Sequence, residues 1–158
     1  MKKTCNIVAM LAVLLTAVAF ADDGGGLFQP GLMGIGVPGE VVRGVTGGGL
    51  PWVARGEVQL DRSGQLRAEV RGLLLAAGAN AGTTGPVTMV SASLTCEGAG
   101  VVATTKAFPL NGAGNADIRD TVTAPASCLG PIVLIRAGTT GPWLAATGFQ
   151  SGMPEDHE

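Results

Sequence analysis

The chain has 158 residues, with 26 glycines, 9 prolines, no tyrosine and only 14% charged residues. An ordinary soluble domain is about 7% glycine and about 25% charged, so this composition excludes a charged helical bundle, a coiled coil and an acidic disordered tail. A net charge of -2 argues against nucleic-acid binding, which needs a basic face to neutralise phosphates.

The N-terminus reads as an address. Lys2 and Lys3 precede an apolar run from Ile7 to Phe20, broken only by Thr16, and Ala19-Phe20-Ala21 then offers small residues at the two positions a signal peptidase reads. This is the pattern of a secretory signal peptide over 1–21, helical while it lasts and cleaved between Ala21 and Asp22. The apolar run is shorter than the roughly 20 residues that span a bilayer, so no membrane span is expected after its removal. Cys5 precedes the apolar run and cannot be a lipidated cysteine. The expected location is secreted or extracytoplasmic.

Residues 22–49 read as a flexible Gly-rich leader, with Gly-Gly-Gly at 24–26 and again at 47–49. Leu27, Phe28, Leu32 and Ile35 are apolar residues within it that could dock on the body. Gly34, Gly36 and Gly39 fit the spacing Gly-x-Gly-x-x-Gly, but no predicted strand precedes them and no helix follows, so the match carries no dinucleotide.

The body is expected over 50–150. Trp52, Ala54, Gly56, Val58 and Leu60 alternate with Val53, Arg55, Glu57 and Gln59. After Asp61-Arg62-Ser63-Gly64, Leu66, Ala68, Val70, Gly72 and Leu74 alternate with Gln65, Arg67, Glu69 and Arg71. Period two in both runs predicts paired strands, each with one buried face. Opposed residues share a face, so Leu60 meets Leu66 and the loop is Arg62-Ser63-Gly64, a type I turn closed by a left-handed glycine. This register sets Glu57 opposite Glu69 and Arg55 opposite Arg71, with opposite charges on the diagonals. It predicts a solvated charge checkerboard outside. Inside, it sets Gly56 against Val70 and Gly72 against Ala54, small-residue gaps for a neighbour to fill.

Further strands are predicted over 87–96, 101–108, 116–123, 131–137 and 143–149. Ile132-Val133-Leu134-Ile135 is apolar on both faces and reads as a central strand. Residues 81–86, Ala-Gly-Thr-Thr-Gly-Pro, recur at 137–142 and read as two similar turns. Seven short strands with Gly, Pro and Asn turns predict an all-β domain, an antiparallel sandwich or small barrel, followed by a polar tail over 151–158.

Cys96 and Cys128 remain after signal removal, and in an oxidising compartment such a pair forms a disulfide. The single histidine, His157, lies in the polar tail, which leaves no imidazole for a catalytic triad or a metal site. No metal or cofactor is expected. The body's carboxylates are Glu57, Asp61, Glu69, Glu97, Asp117 and Asp120. Acid–base work needs one raised carboxyl in a pocket, whereas the Arg-rich face of Glu57 and Glu69 predicts the opposite shift. Strand alternation puts Asp117 and Asp120, the remaining hydrolase candidates, on opposite faces. Trp52 and Trp143 each follow a proline at a strand start; both read as core, with ligand contact as the alternative.

The stretches Gly49-Leu50-Pro51-Trp52-Val53, Arg55-Gly56-Glu57-Val58, Val70-Arg71-Gly72-Leu73 and Ala76 to Thr83 resemble a group of short secreted bacterial proteins of unknown function. Cys96, Pro125 to Cys128 with Pro131, and Trp143 to Gly148 extend the resemblance, which covers about 43–149. It implies export and a two-cysteine β domain, and no activity. Strand-Gly-Leu-strand is also similar to chordin-type repeats and the superoxide-dismutase sandwich, whose metal-binding histidines are absent here. These readings converge on an exported, non-enzymatic module of the bacterial cell exterior, structural or interacting with a protein or an envelope component. The alternatives are a carrier of small apolar ligands, with its pocket between the sheets near Trp52 and Trp143, and a carboxylate-dependent hydrolase.

Overall fold

A computed structural model describes residues 30–148. The expected signal peptide with Ala19, Ala21 and Asp22, the first part of the expected Gly-rich leader, Phe149 and the expected polar tail with His157 lie outside the described residues. Everything regular among the described residues is β, and no helix there is long and apolar enough to cross a membrane.

Three strands form one antiparallel sheet: β4 (Trp52–Leu60), β5 (Gln65–Leu75) and β9 (Ala116–Thr121), in the order β4-β5-β9. A second sheet contains β1 (Leu32–Gly34), β11 (Trp143–Thr147), β10 (Ile132–Ala137), β6 (Met89–Cys96) and β7 (Gly100–Thr104), in the order β1-β11-β10-β6-β7, with the short β8 (Phe108–Pro109) also on β6. Val58, Leu66, Val70 and Ile118 of the first sheet are fully buried, as are Val90, Ala92, Val133 and Ile135 of the second. The two inner faces make one sandwich core.

The predicted hairpin register is the observed one from Arg55 to Leu66: Leu60 opposes Leu66, Glu57 opposes Glu69, Gly56 opposes Val70 and Arg55 opposes Arg71. Asp61 closes the turn. Its carboxylate accepts from the Ser63 amide, the Ser63 hydroxyl and the Gln65 amide, and Gly64 takes φ +85°.

Beyond Arg71 the register departs from the expectation. Val53 opposes Leu74, and Ala54 faces the two residues Gly72 and Leu73. Gly72, at φ +61°, is the left-handed first residue of a bulge. The extra residue inverts the facing, so Leu73 and Leu75 are buried rather than Leu74.

Two other expectations are corrected. The predicted strand 101–108 is two strands, because the Thr105 hydroxyl bonds the Ala92 amide and the Lys106 carbonyl and turns the chain between them. The expected leader does not run to residue 49: from residue 30 it is part of the domain. β1 pairs with β11, and Leu32 and Ile35 are core residues. β2 (Val41–Val42) and β3 (Val45–Thr46) form a separate hairpin. Its turn, Arg43 at φ +50° and Gly44 at φ +79°, has the paired positive dihedrals of a type I′ turn.

That hairpin is a strap across the outer face of the second sheet. Gly47 bridges to Trp143 on β11, and the Arg43 guanidinium donates to the Gly130 carbonyl near the start of β10. The Arg43 carbonyl lies beside Gly100 at the start of β7. The strap therefore passes over β10 and β6, whose outward residues Leu134, Ser91 and Ser93 are all buried. This explains why β6 is buried on both faces despite its alternating sequence.

The sheets do not close into a barrel. On one side β1 joins them: the Val58 amide donates to the Pro30 carbonyl and the Trp52 amide to the Ile35 carbonyl. On the other side no ladder joins β9 to the second sheet among the described residues, and the Lys106 amide reaches only the Asp120 carboxylate.

The Ala-Gly-Thr-Thr-Gly-Pro copies do different work. The copy at 137–142 turns β10 into β11, and the Arg136 guanidinium donates to the Gly141 and Thr140 carbonyls. The copy at 81–86 folds the β5–β6 connection back on Leu75, whose carbonyl accepts from the Gly82 amide.

Candidate functional site on the three-stranded sheet

The outer face of β4-β5-β9 carries seven of the fifteen charged side chains among the described residues. Cross-strand register arranges it in rows. Glu57, Glu69 and Asp117 form one row, and Gln59, Arg67 and Arg119 form the next. Arg55 and Arg71 lie on the other side of the acidic row. Sequence reasoning placed Glu57 and Glu69 together. It missed Asp117 as the third member, because nothing local to β9 reveals its register against β5.

Arg71 ties this face together. Its guanidinium pairs with Asp117 at 2.8 Å and with Glu69, and it also donates to the Val70 and Ala116 carbonyls. The hydrogen bond that Arg71 donates to Asp117, reinforced by both negative charges, pushes Arg71 above its ordinary value. The resulting lattice is open to solvent, with the Glu69 and Asp117 side chains 60% exposed. Acid–base catalysis needs a carboxyl that holds its proton in an enclosed site. Carboxylates paired with a guanidinium in the open are acceptors instead.

Asp120 is not part of the row. It shares a face with Ile118, as the alternation predicted, and its carboxylate accepts from the Lys106 and Thr121 amides. Those bonds, the Lys106 amide first, lower its carboxyl below the ordinary value. The Ser63 hydroxyl does the same for Asp61, helped by the Gln65 and Ser63 amides. Both groups therefore bind protons more weakly in the folded chain than in the unfolded one. Their stabilising contribution is complete above the ordinary carboxyl value of 3.8 and is lost as pH falls through the lower folded values. Melting temperature should thus be flat between about pH 7 and pH 5 and fall below about pH 4. Asp61→Asn should flatten that acid limb. A melting series that declines instead between pH 7 and pH 5 would contradict the assignment.

Trp52 and Trp143 are both buried, and the space between them is filled. A side chain on Gly48 would meet the Trp52 indole, and one on Gly47 would meet Trp143 and Ile35. The Trp143 indole N–H donates to the Glu40 carbonyl of the strap at 3.0 Å. Trp143 opposes Arg136, on the strap side of the sheet, so the two indoles do not line a common pocket between the sheets. The cleft that Trp143 does line, with Met33, Ile35, Val37 and Ala146, holds about 90 Å³. Small-molecule sites usually need about 300 Å³ or more.

Cys96, at the end of β6, is joined to Cys128 by a disulfide. No group of three His, Cys, Asp or Glu among the described residues is arranged to hold a metal ion. No family model matches the chain, and neither a curated protein nor a solved structure matches it.

Proposed function

We propose that this protein is an exported β-sandwich that works by contact at the bacterial cell exterior, as a structural or interaction module rather than an enzyme. The observation that carries the reading is a charged face fixed by Arg71 over a filled core. Such a surface presents an ordered array of charges around hollows that stay open to solvent. Recognition of another surface needs such an array, and turnover of a small substrate needs an enclosed pocket instead. The signal-peptide pattern before Asp22 and the disulfide support an oxidising destination. The resemblance to short secreted two-cysteine β proteins points the same way.

Intact mass of the protein recovered outside the cytoplasm tests the reading. The chain should begin at Asp22 and gain two hydrogens on reduction. A mass that retains the signal segment, or two thiols free before reduction, would overturn it.

A further inference from the structure

Arg67 and Arg119 stand directly opposite each other on β5 and β9. Both are exposed, and like charges opposed across strands repel. Among the described residues neither has a carboxylate in ion-pair contact, whereas Arg71 has two. Glu57, diagonal to Arg67 on the same face, forms no ion pair with either arginine, and the other nearby carboxylates have partners of their own. Glu69 and Asp117 are held by Arg71, Asp61 is bonded into its turn, and Asp120 accepts from two amides.

The two arginines form a ridge between two hollows. One, of about 190 Å³, has the acidic row Glu57, Glu69 and Asp117 on its far side from the two arginines. The other, of about 210 Å³, lies toward the hairpin turn and is lined by Gln65, Leu66, Arg67, Arg119, Asp120 and Thr121. Gln65 brings an amide donor and Thr121 a hydroxyl, and they oppose each other across the same two strands.

We propose that Arg67 and Arg119, with Gln65 and Thr121, form a receptor for a tetrahedral oxyanion, a phosphate or sulfate monoester. Two guanidinium forks side by side match its oxygens bidentately. The acidic row beside them fixes the side from which the anion enters. An oxyanion between the two arginines also removes the repulsion that the free protein carries. The inference deepens the contact reading and rests on the same face. It concerns the folded domain alone, so its failure would leave export and the contact role standing.

The test is a titration of the disulfide-intact protein with inorganic sulfate and inorganic phosphate at constant ionic strength, followed by the arginine Nε–H and backbone amide resonances. Saturable shifts should appear at Arg67, Arg119, Gln65 and Thr121. Melting temperature should rise with the anion. Arg67→Gln should weaken binding roughly tenfold, the usual worth of a hydrogen bond to a charged group. Without anion the same variant should melt no lower than the parent, because it relieves a like-charge pair. Arg67→Lys keeps the charge and loses the fork, and should also weaken binding. Arg55→Gln, on the far side of the acidic row, should leave it unchanged. Dextran sulfate and polyphosphate form further arms. Tighter binding than the matching inorganic ion identifies a polymer as the source, and equal binding identifies the free anion. Shifts that grow linearly, that chloride reproduces, or that Arg55→Gln reduces as much as Arg67→Gln would overturn the proposal.

Discussion

Reduction of the Cys96–Cys128 bond, or its replacement by two alanines, should destabilise the domain by about 3–4 kcal/mol, from the chain entropy of a closed loop of this length. For a domain of this size that lowers the melting temperature by roughly 10–20 °C. The two cysteines are 32 residues apart, and the segment they close carries β7, β8 and β9. It therefore leaves the second sheet, contributes an edge to the first and returns before β10. Without the bond, the unfolded chain gains freedom across a segment that both sheets must recapture. The local anchoring is thin: Pro125, Ala126 and Ser127 are exposed, and beside the bond the Glu97 amide donates to the Leu129 carbonyl. Calorimetry with and without reductant is the measurement. A loss of only a few degrees would mean that the loop is held by contacts other than the disulfide.

Much of the fold was legible because two signals were strong and agreed. Alternation from Trp52 to Leu60 and from Gln65 to Arg71 sets the faces, and the Asp61-Arg62-Ser63-Gly64 turn sets the register. The charged face followed from the register, including its opposed like charges. The bulge at Gly72 was not legible for a specific reason. Leu73, Leu74 and Leu75 are all leucine, so either facing satisfies the hydrophobic pattern, and the choice falls to backbone contacts from another strand segment. The Leu73 amide donates to the Gly114 carbonyl, and the Gly72 amide to the Asn115 side chain. Those partners lie more than forty residues away.

The strap was hidden by composition. Glycines at 47 and 48 look like linker, yet Gly47 is small because Ile35, the Glu40 carbonyl and Trp143 crowd it, and Gly48 because the Trp52 indole and Leu144 do. One local signal was available, the β-branched pairs Val41-Val42 and Val45-Thr46 around Arg43-Gly44, which is the pattern of a two-residue hairpin. The row Glu57, Glu69, Asp117 and the pair Arg67, Arg119 depend on the β5–β9 register, which a long connection separates and no turn fixes.

Gly56 and Gly72, both predicted as small-residue gaps in the core, should lose stability on substitution by different amounts and for different reasons. Gly56→Ala should cost about 3–5 kcal/mol, since backbone strain and overpacking each contribute at this site. Gly56 takes φ +149°, and a side-chain carbon there would lie 1.8 Å from the Glu69 carbonyl oxygen. The obstacle is backbone of the neighbouring strand, which no rotamer can move, so β4 must separate from β5 in the middle of its ladder. Gly72 has nothing within 4 Å of the same position. Its requirement is only the left-handed dihedral, which costs a non-glycine residue roughly 1–2 kcal/mol. Asparagine tolerates that dihedral better than alanine, so Gly72→Asn should recover part of the loss, whereas Gly56→Asn should recover none. Equilibrium unfolding of the four variants separates the two causes. Equal losses for Gly56→Ala and Gly72→Ala would mean that the close approach of β4 to β5 is absent in solution, and with it the spacing that aligns Glu57 with Glu69.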